Sequence, residues 1–547
     1  MHDAVNLAVI VAYLVAIAVI GLKLSGRQRS ATDYFTGERS LPWWAVMFSI
    51  VATETSTLTV ISVPGVAYLG SFSYVELAVG YLIGRTVVAF VLLPLYFRGG
   101  FVSAYQYLGL RFGRHVQALA SVTFLVTRLL AEGVRLFAGA IPIKLLLAEF
   151  GVHVNYFVIV VAITAVTVAY TYVGGIKAVV WTDFLQMSLY VIGALVCIVV
   201  LLGRTGPGAL GTAFQAGKLT VFNFDLPILT SPYAFVTAIV GGALLTMGSH
   251  GSDQLIAQRV LSCRSLSDGR KAMIGSAVAV GIQFALFSLV GALLWVADHG
   301  ASLQRLGLSS DQIFGDFILR GLPMGLSGLL VAGILAATMG SLSSALNSLS
   351  NSTIADLVQS WAGRSPAPDT MLKIARWATG GWALVMVAFA SMFTTTKNPV
   401  VELGLSIASY TYGALLGAFL LGLLVRRADG VAAATAFIAT LLGTGWAAVG
   451  VSIGGKSLAF PWFVPLGVLI TLVVGGLVSL ARPARPGPSR GDSSGGDSSG
   501  SDSSGSDSSG SDSSGSDSSG SDSSGSDSSG SGSGEQRDRG ASGIAQR

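Results

Sequence analysis

Thirteen apolar runs, most of them near twenty residues long, follow one another through the first 481 positions of this 547-residue chain. Their approximate limits are 4–24, 41–69, 73–97, 116–148, 154–173, 177–203, 232–250, 272–297, 325–358, 374–393, 401–425, 430–452 and 462–481. A helix needs ~20 apolar residues to cross a hydrocarbon core of ~30 Å. Lipid offers no hydrogen bonds, so a spanning segment must satisfy its own backbone, as a helix or within a closed barrel. Runs of this length predict an all-α polytopic membrane protein with about thirteen transmembrane helices. Composition agrees: 52% of residues are hydrophobic and only 11% charged. The opening MHDAVNLAV lacks a basic leader, so the first run reads as a retained span.

Charge in the connecting segments gives an orientation. With the N-terminus outside, inward segments hold nineteen Lys or Arg and outward ones six. That asymmetry obeys the positive-inside rule and puts the C-terminus in the cytoplasm of a cell-membrane protein. Arg259 is counted among the inward nineteen, in a segment read as a cytoplasmic loop. The net charge of +5 signals no nucleic acid, because no dense basic patch with interleaved aromatics exists. Two cysteines, Cys197 and Cys263, exclude a disulfide framework. Five scattered histidines and the absence of a GxxxxGK[ST] motif argue against an enzyme or a nucleotide-driven pump. From position 482 onward the chain turns to Ser, Gly and Asp, with SDSSG repeated; this stretch, 482–547, is expected to be a disordered cytoplasmic tail.

Polar residues within spans are costly and tend to face a cavity or a partner. Span 41–69 is interrupted by ATETSTLT, positions 52–59. Ala52 and Thr55 lie one turn apart there, beside several hydroxyls. An unwound helix would free backbone carbonyls for a small cation; an intact one would let Ser and Thr bond back onto their own helix. Span 325–358 contains AATMGSLSSALNS, in which Ala337, Ser341, Ser344 and Ser348 share a face. That stripe reads either as a close-packed seam or as neutral oxygens suited to a monovalent ion. Span 116–148 carries Arg128, Glu132 and Arg135 on one face, two cations to one anion. The surplus cation needs a counter-ion, and Arg135, or else Arg128, could anchor a solute carboxylate. A purely internal network with Glu54 or Glu76 is the alternative, and Arg85 is a further candidate partner for Glu54.

Five segments together resemble one family. They are DYFTGERSLPWW (33–44), FRGGFVSAYQYLGLRFG (97–113), GGIKAVVWTDFLQ (174–186), GSDQLIAQRVLSCRSLSDGRKA (251–272) and SIASYTYGALLGAFLLG (406–422), with the Ser-rich ATMGSLSSALNS between the last two. In this order they are similar to the sodium:solute symporter family, over roughly 1–481. The resemblance implies a LeuT-like core of two inverted five-helix repeats, 41–203 and 232–425, with 1–40 and 430–481 peripheral. It implies a sodium site at Ala52 and Thr55 on the first core helix and at Ala337, Gly340 and Ser341 on the eighth. Gly340 departs from the serine common at that position. Asp183 matches an acidic position of the ion pathway, although a charge favourable to a helix N-terminus would also explain it. Thr57, Leu58 and Thr59 fall on the solute-facing turn. The expected function is sodium-coupled symport of a small organic solute, a carboxylate or other anion, across the lipid bilayer by alternating access. Proton coupling, or a transporter-like sensor acting through a partner, would use the same fold.

Overall fold

The structure, a computed structural model, describes residues 2–24, 30–149, 151–323, 325–361, 368–392 and 400–482. The expected tail lies outside the described residues beyond Arg482. Helix α1 (His2–Leu24) precedes a bent pair, α2 (Trp43–Glu54) and α3 (Thr57–Leu69), whose axes meet at 63°. Then come α4 (Ser73–Gly99), α5 (Arg114–Glu149) and α6 (Tyr156–Thr205). A second broken element follows: α7 (Gly242–Met247), a π-helical turn at Gly248–Ser252, and α8 (Gln254–Leu261). Helices α9 (Leu266–Ala297), α10 (Ser310–Gly321), α11 (Leu326–Trp361), α12 (Pro368–Ala390), α13 (Val400–Leu424), α14 (Gly430–Gly450) and α15 (Phe463–Ala481) complete the bundle. The sole strand pair among the described residues is a two-residue hairpin, Ser452–Ile453 with Lys456–Ser457.

Eight of the described helices are long and apolar enough to cross a membrane, or nine if α2–α3 is one span. At 50 residues α6 is twice a span's length, and it breaks at Gly175 (φ 54°, ψ −150°). That conformation suits glycine alone, and a Cβ there would also press on Tyr34, 2.8 Å from its ring. The break separates the expected spans 154–173 and 177–203. Helix α11 is the hub, with 94% of its most apolar window buried against 22–61% for the other spans. It packs on α1, α2, α3, α5, α6 and α12. An apolar helix so thoroughly surrounded can afford serines, because protein rather than lipid meets them.

The segment from Gly251 onward corrects the sequence reading. All eight residues of α8 are buried, including Arg259 at 1% exposure. Arg259 is therefore a core residue and no part of the loop-charge asymmetry. The surrounding GSDQ reads as loop because Gly, Ser and Asp favour turns. Here Asp253 instead takes an extended conformation (φ −89°, ψ 128°) and caps α8, accepting from the Leu255 amide at 2.8 Å.

Candidate functional site

The α2–α3 break determines which backbone groups are free. In a continuous helix the amides of Ser56 and Thr59 would bond to the carbonyls of Ala52 and Thr55. Instead, Ser56 N–H donates to Glu54 O (2.9 Å) and Thr59 N–H to Ser56 O (2.9 Å). Both expected carbonyls thus lose their helical partners. Helix α11 runs antiparallel across the break: Thr53 Oγ1 lies 3.4 Å from Ser344 Oγ, and Thr57 Oγ1 lies 2.5 Å from Thr338 Oγ1. Thr55 therefore stands level with Ser341. The Ser341 hydroxyl is 1% exposed and has no hydrogen-bond partner among the described residues. A buried polar atom without a partner is uncommon and often marks an absent ion or water. Ala52 and Ala337 are likewise buried. The Thr55 hydroxyl points elsewhere, donating to Gln283 Oε1 on α9 at 2.7 Å. Among the described residues no cluster of three or more His, Cys, Asp or Glu could hold a metal, so any cation here meets mainly neutral oxygens.

Next to this crossing lies a buried ion pair. Asp183 Oδ2 accepts from Ser49 Oγ (2.6 Å) and from Arg259 Nη2 (3.2 Å). Arg259 also donates to Ser49 Oγ (2.9 Å), to Leu255 O (2.8 Å) and to the Ser344 hydroxyl. Four elements, α2, α6, α8 and α11, meet in this network. Asp183 lies eight positions beyond Gly175, outside the first turn where a helix dipole acts. The dipole account of this residue is therefore replaced by the Arg259 pair. A Cβ on Gly340 would face the same cluster, 2.6 Å from Gln186 Oε1 and 3.2 Å from Asp183 Oδ1. Neither of those oxygens has a hydrogen-bond partner among the described residues.

A small cavity of about 30 Å³ opens on the other side of the break, lined by Glu54, Ser56, Thr59, Tyr74, Tyr81, Arg135, Phe284 and Leu405. Of the expected solute-facing residues, Thr59 and Arg135 line it. Thr57 does not; its hydroxyl faces α11 through Thr338 and the Ile334 carbonyl (3.4 Å). The side chain of Leu58 lies outside the described residues. Arg128 does not line the cavity either. It is held by Glu132 (3.3 Å), by Asp253 and by the Tyr412 hydroxyl (2.9 Å). Asp253 is thus the counter-ion for the surplus cation of α5. Arg135 bonds to Glu132 through one nitrogen, while its Nε is buried without a partner. Glu54 is paired with Arg85, which also donates to Ser276 Oγ (2.8 Å) and Thr246 Oγ1 (3.3 Å).

The sequence reading missed the aromatic wall. Tyr74 and Tyr81 flank Phe284 edge-on, at centroid distances of 4.7 and 6.2 Å. Their seven-residue separation, with Arg85 four further on, was a visible stripe on α4.

Known proteins share this architecture. A model of the sodium:solute symporter family matches residues 34–443. The sodium/sialic acid symporter SiaT of Proteus mirabilis is 27% identical over 514 residues, covering 89% of this chain and 97% of its own. Human sodium-coupled monocarboxylate transporter 2 is 27% identical over 451 residues, covering 80% of this chain and 71% of its own. Among solved structures, a substrate-bound, outward-open Na+-coupled sialic acid symporter superposes with a TM-score of 0.76 at 25% identity, covering 88% of this chain and 98% of its own. The nucleobase-cation-symport-1 transporter Mhp1, in a closed conformation, superposes with a TM-score of 0.52 at 13% identity, covering 83% of this chain and 96% of its own, a likeness of fold alone. Both neighbours have the LeuT fold, which is accordingly the fold of this helical bundle. With the family match extending across the broken helices and the serine-rich hub, the chain belongs to the sodium:solute symporter family, membrane transporters that take up solutes with sodium as the coupling ion.

Proposed function

We propose that the solute is a small organic molecule bearing a carboxylate, bound by Arg135, and that sodium is held at the α2–α3 break by the carbonyls of Ala52 and Thr55 with Ser341, beside Ala337 and Gly340. The observation that carries this reading is the pairing of a partnerless buried hydroxyl with two carbonyls released from their helix. Such oxygens suit a weakly held, hard monovalent ion. Arg135 supports the carboxylate because its guanidinium lines the cavity with donors to spare, and planar two-pronged donors favour carboxylates. The names of the relatives agree, since sialic acid and monocarboxylates are acids.

Transport then proceeds by alternating access. Sodium fills the gap between α2 and α11 and fixes the break; Ser56 and Thr59, one turn away, are thereby set for the solute. The cavity as it stands has room for about one water, so the solute enters only when the surrounding helices part. Asp183, on the other side of the crossing, is assigned to the ion's exit. The chain carries solute without chemical change, in the cell membrane, with the N-terminus outside and the C-terminus in the cytoplasm, as the loop charges favour. Uptake by Arg135→Gln tests the anchor. The apparent affinity for solute should fall at least tenfold, with the sodium requirement little changed; unaltered solute affinity would reject Arg135.

A further inference from the structure

The cavity has an anionic side as well as a cationic one. Glu54, 16% exposed at its side chain, lines the same small space as Arg135. Its Oε2 is taken by Arg85 and lies 3.6 Å from His250 Nε2, but its Oε1 accepts no hydrogen bond among the described residues. Of the charged residues described, only Glu54 and Arg135 line the cavity, one of each sign. A solute carrying only a carboxylate would satisfy Arg135 and leave Glu54 Oε1 without a donor.

We infer that the solute is a small zwitterion, with its carboxylate on Arg135 and a proton-bearing ammonium on Glu54 Oε1. This rests on the carboxylate reading above and adds the second recognition group. The ammonium would sit among the rings of Tyr74, Tyr81 and Phe284, whose electron-rich faces favour a cation. Glu54 and Arg135 line one and the same cavity, so the solute's two charged groups lie close together, as in an α-amino acid. The free oxygen of Glu54 can only accept a hydrogen bond, which favours primary or secondary ammonium groups over quaternary ones.

The test uses the full chain, purified in detergent, with thermal stabilisation measured with and without sodium. The probes are L-amino acids, each taken with its deaminated acid and its decarboxylated amine; alanine, propionate and ethylamine form one such set. In at least one set the zwitterion should bind at least tenfold more tightly than either partner, and only with sodium present. Glu54→Gln should bring the zwitterion-to-acid ratio towards one, and Glu54→Asp should keep most of it. Because Glu54→Gln also deprives Arg85 of its partner, the wild-type comparison decides if that variant fails to fold. Sodium-dependent binding of deaminated acids as tight as that of their amino acids in every set would overturn this inference and leave the carboxylate reading standing. If no carboxylate of either kind bound with sodium, the carboxylate reading would fall, and this inference with it.

Discussion

A buried hydroxyl without a hydrogen-bond partner costs about 1–3 kcal/mol unless something from outside the chain satisfies it. Ser341 is in that position. Ser341→Ala is expected to raise the sodium concentration for half-maximal uptake by about tenfold, on the order of 1.4 kcal/mol. Sodium titration of uptake checks this, and an unchanged requirement would remove Ser341 from the ion site. Gly340 poses the converse case. The space above its Cα faces Asp183 and Gln186, so a serine there would meet partnerless oxygens at the cost of moving one flexible amide. Gly340→Ser is expected to stabilise the sodium-free protein by about 0.5–1.5 kcal/mol, read as a higher unfolding midpoint in detergent; a lower one would show that Gln186 cannot yield. Ala52, Thr55 and Ser341, which the family resemblance singles out, lie where the α2–α3 break crosses α11. Thr57 and Arg128 were placed differently for a physical reason. Helical phase is reset at a break, so neighbours across it cannot be assigned to faces by counting, and Arg128 differs from Arg135 through Asp253 and Tyr412, 125 and 284 positions away.

At the scale of elements, two interrupted helices organise the site, and only one announced itself. TETST inside an apolar span is anomalous because lipid punishes it, whereas GSD at the end of a span looks like an ordinary exit. What keeps α8 inside the bundle is long-range pairing, of Asp253 with Arg128 and of Arg259 with Asp183. Neither pair is local, so neither is visible to periodicity. Arg259→Gln should therefore destabilise the protein by about 3–5 kcal/mol, since it strands a buried carboxylate. The double variant Asp183→Asn with Arg259→Gln should recover much of that loss. Thermal unfolding of the three proteins would decide; a double variant no better than the single one would mean that Arg259 acts mainly through Ser49, Ser344 and the Leu255 carbonyl.

At the scale of the whole molecule, hydropathy and five ordered motifs were enough for the membrane class, the family and the coupling ion. The cavity was not readable in this way, because its wall is assembled from α2, α3, α4, α5, α9 and α13, and no single stretch of sequence records which faces converge. The cavity offers one charge of each sign, Arg135 and Glu54, and the protein ends each cycle in the state in which it began, so the net charge moved is that of the cargo. A zwitterion travelling with one sodium moves one positive charge, and ~100 mV of membrane potential then contributes ~2.3 kcal/mol, roughly fiftyfold in accumulation. A monoanion travelling with one sodium would move none, and voltage would leave its steady-state gradient untouched. Proteoliposomes on a current-recording surface should therefore give an inward current when an amino acid is added in sodium, and a silent trace would speak for the anion.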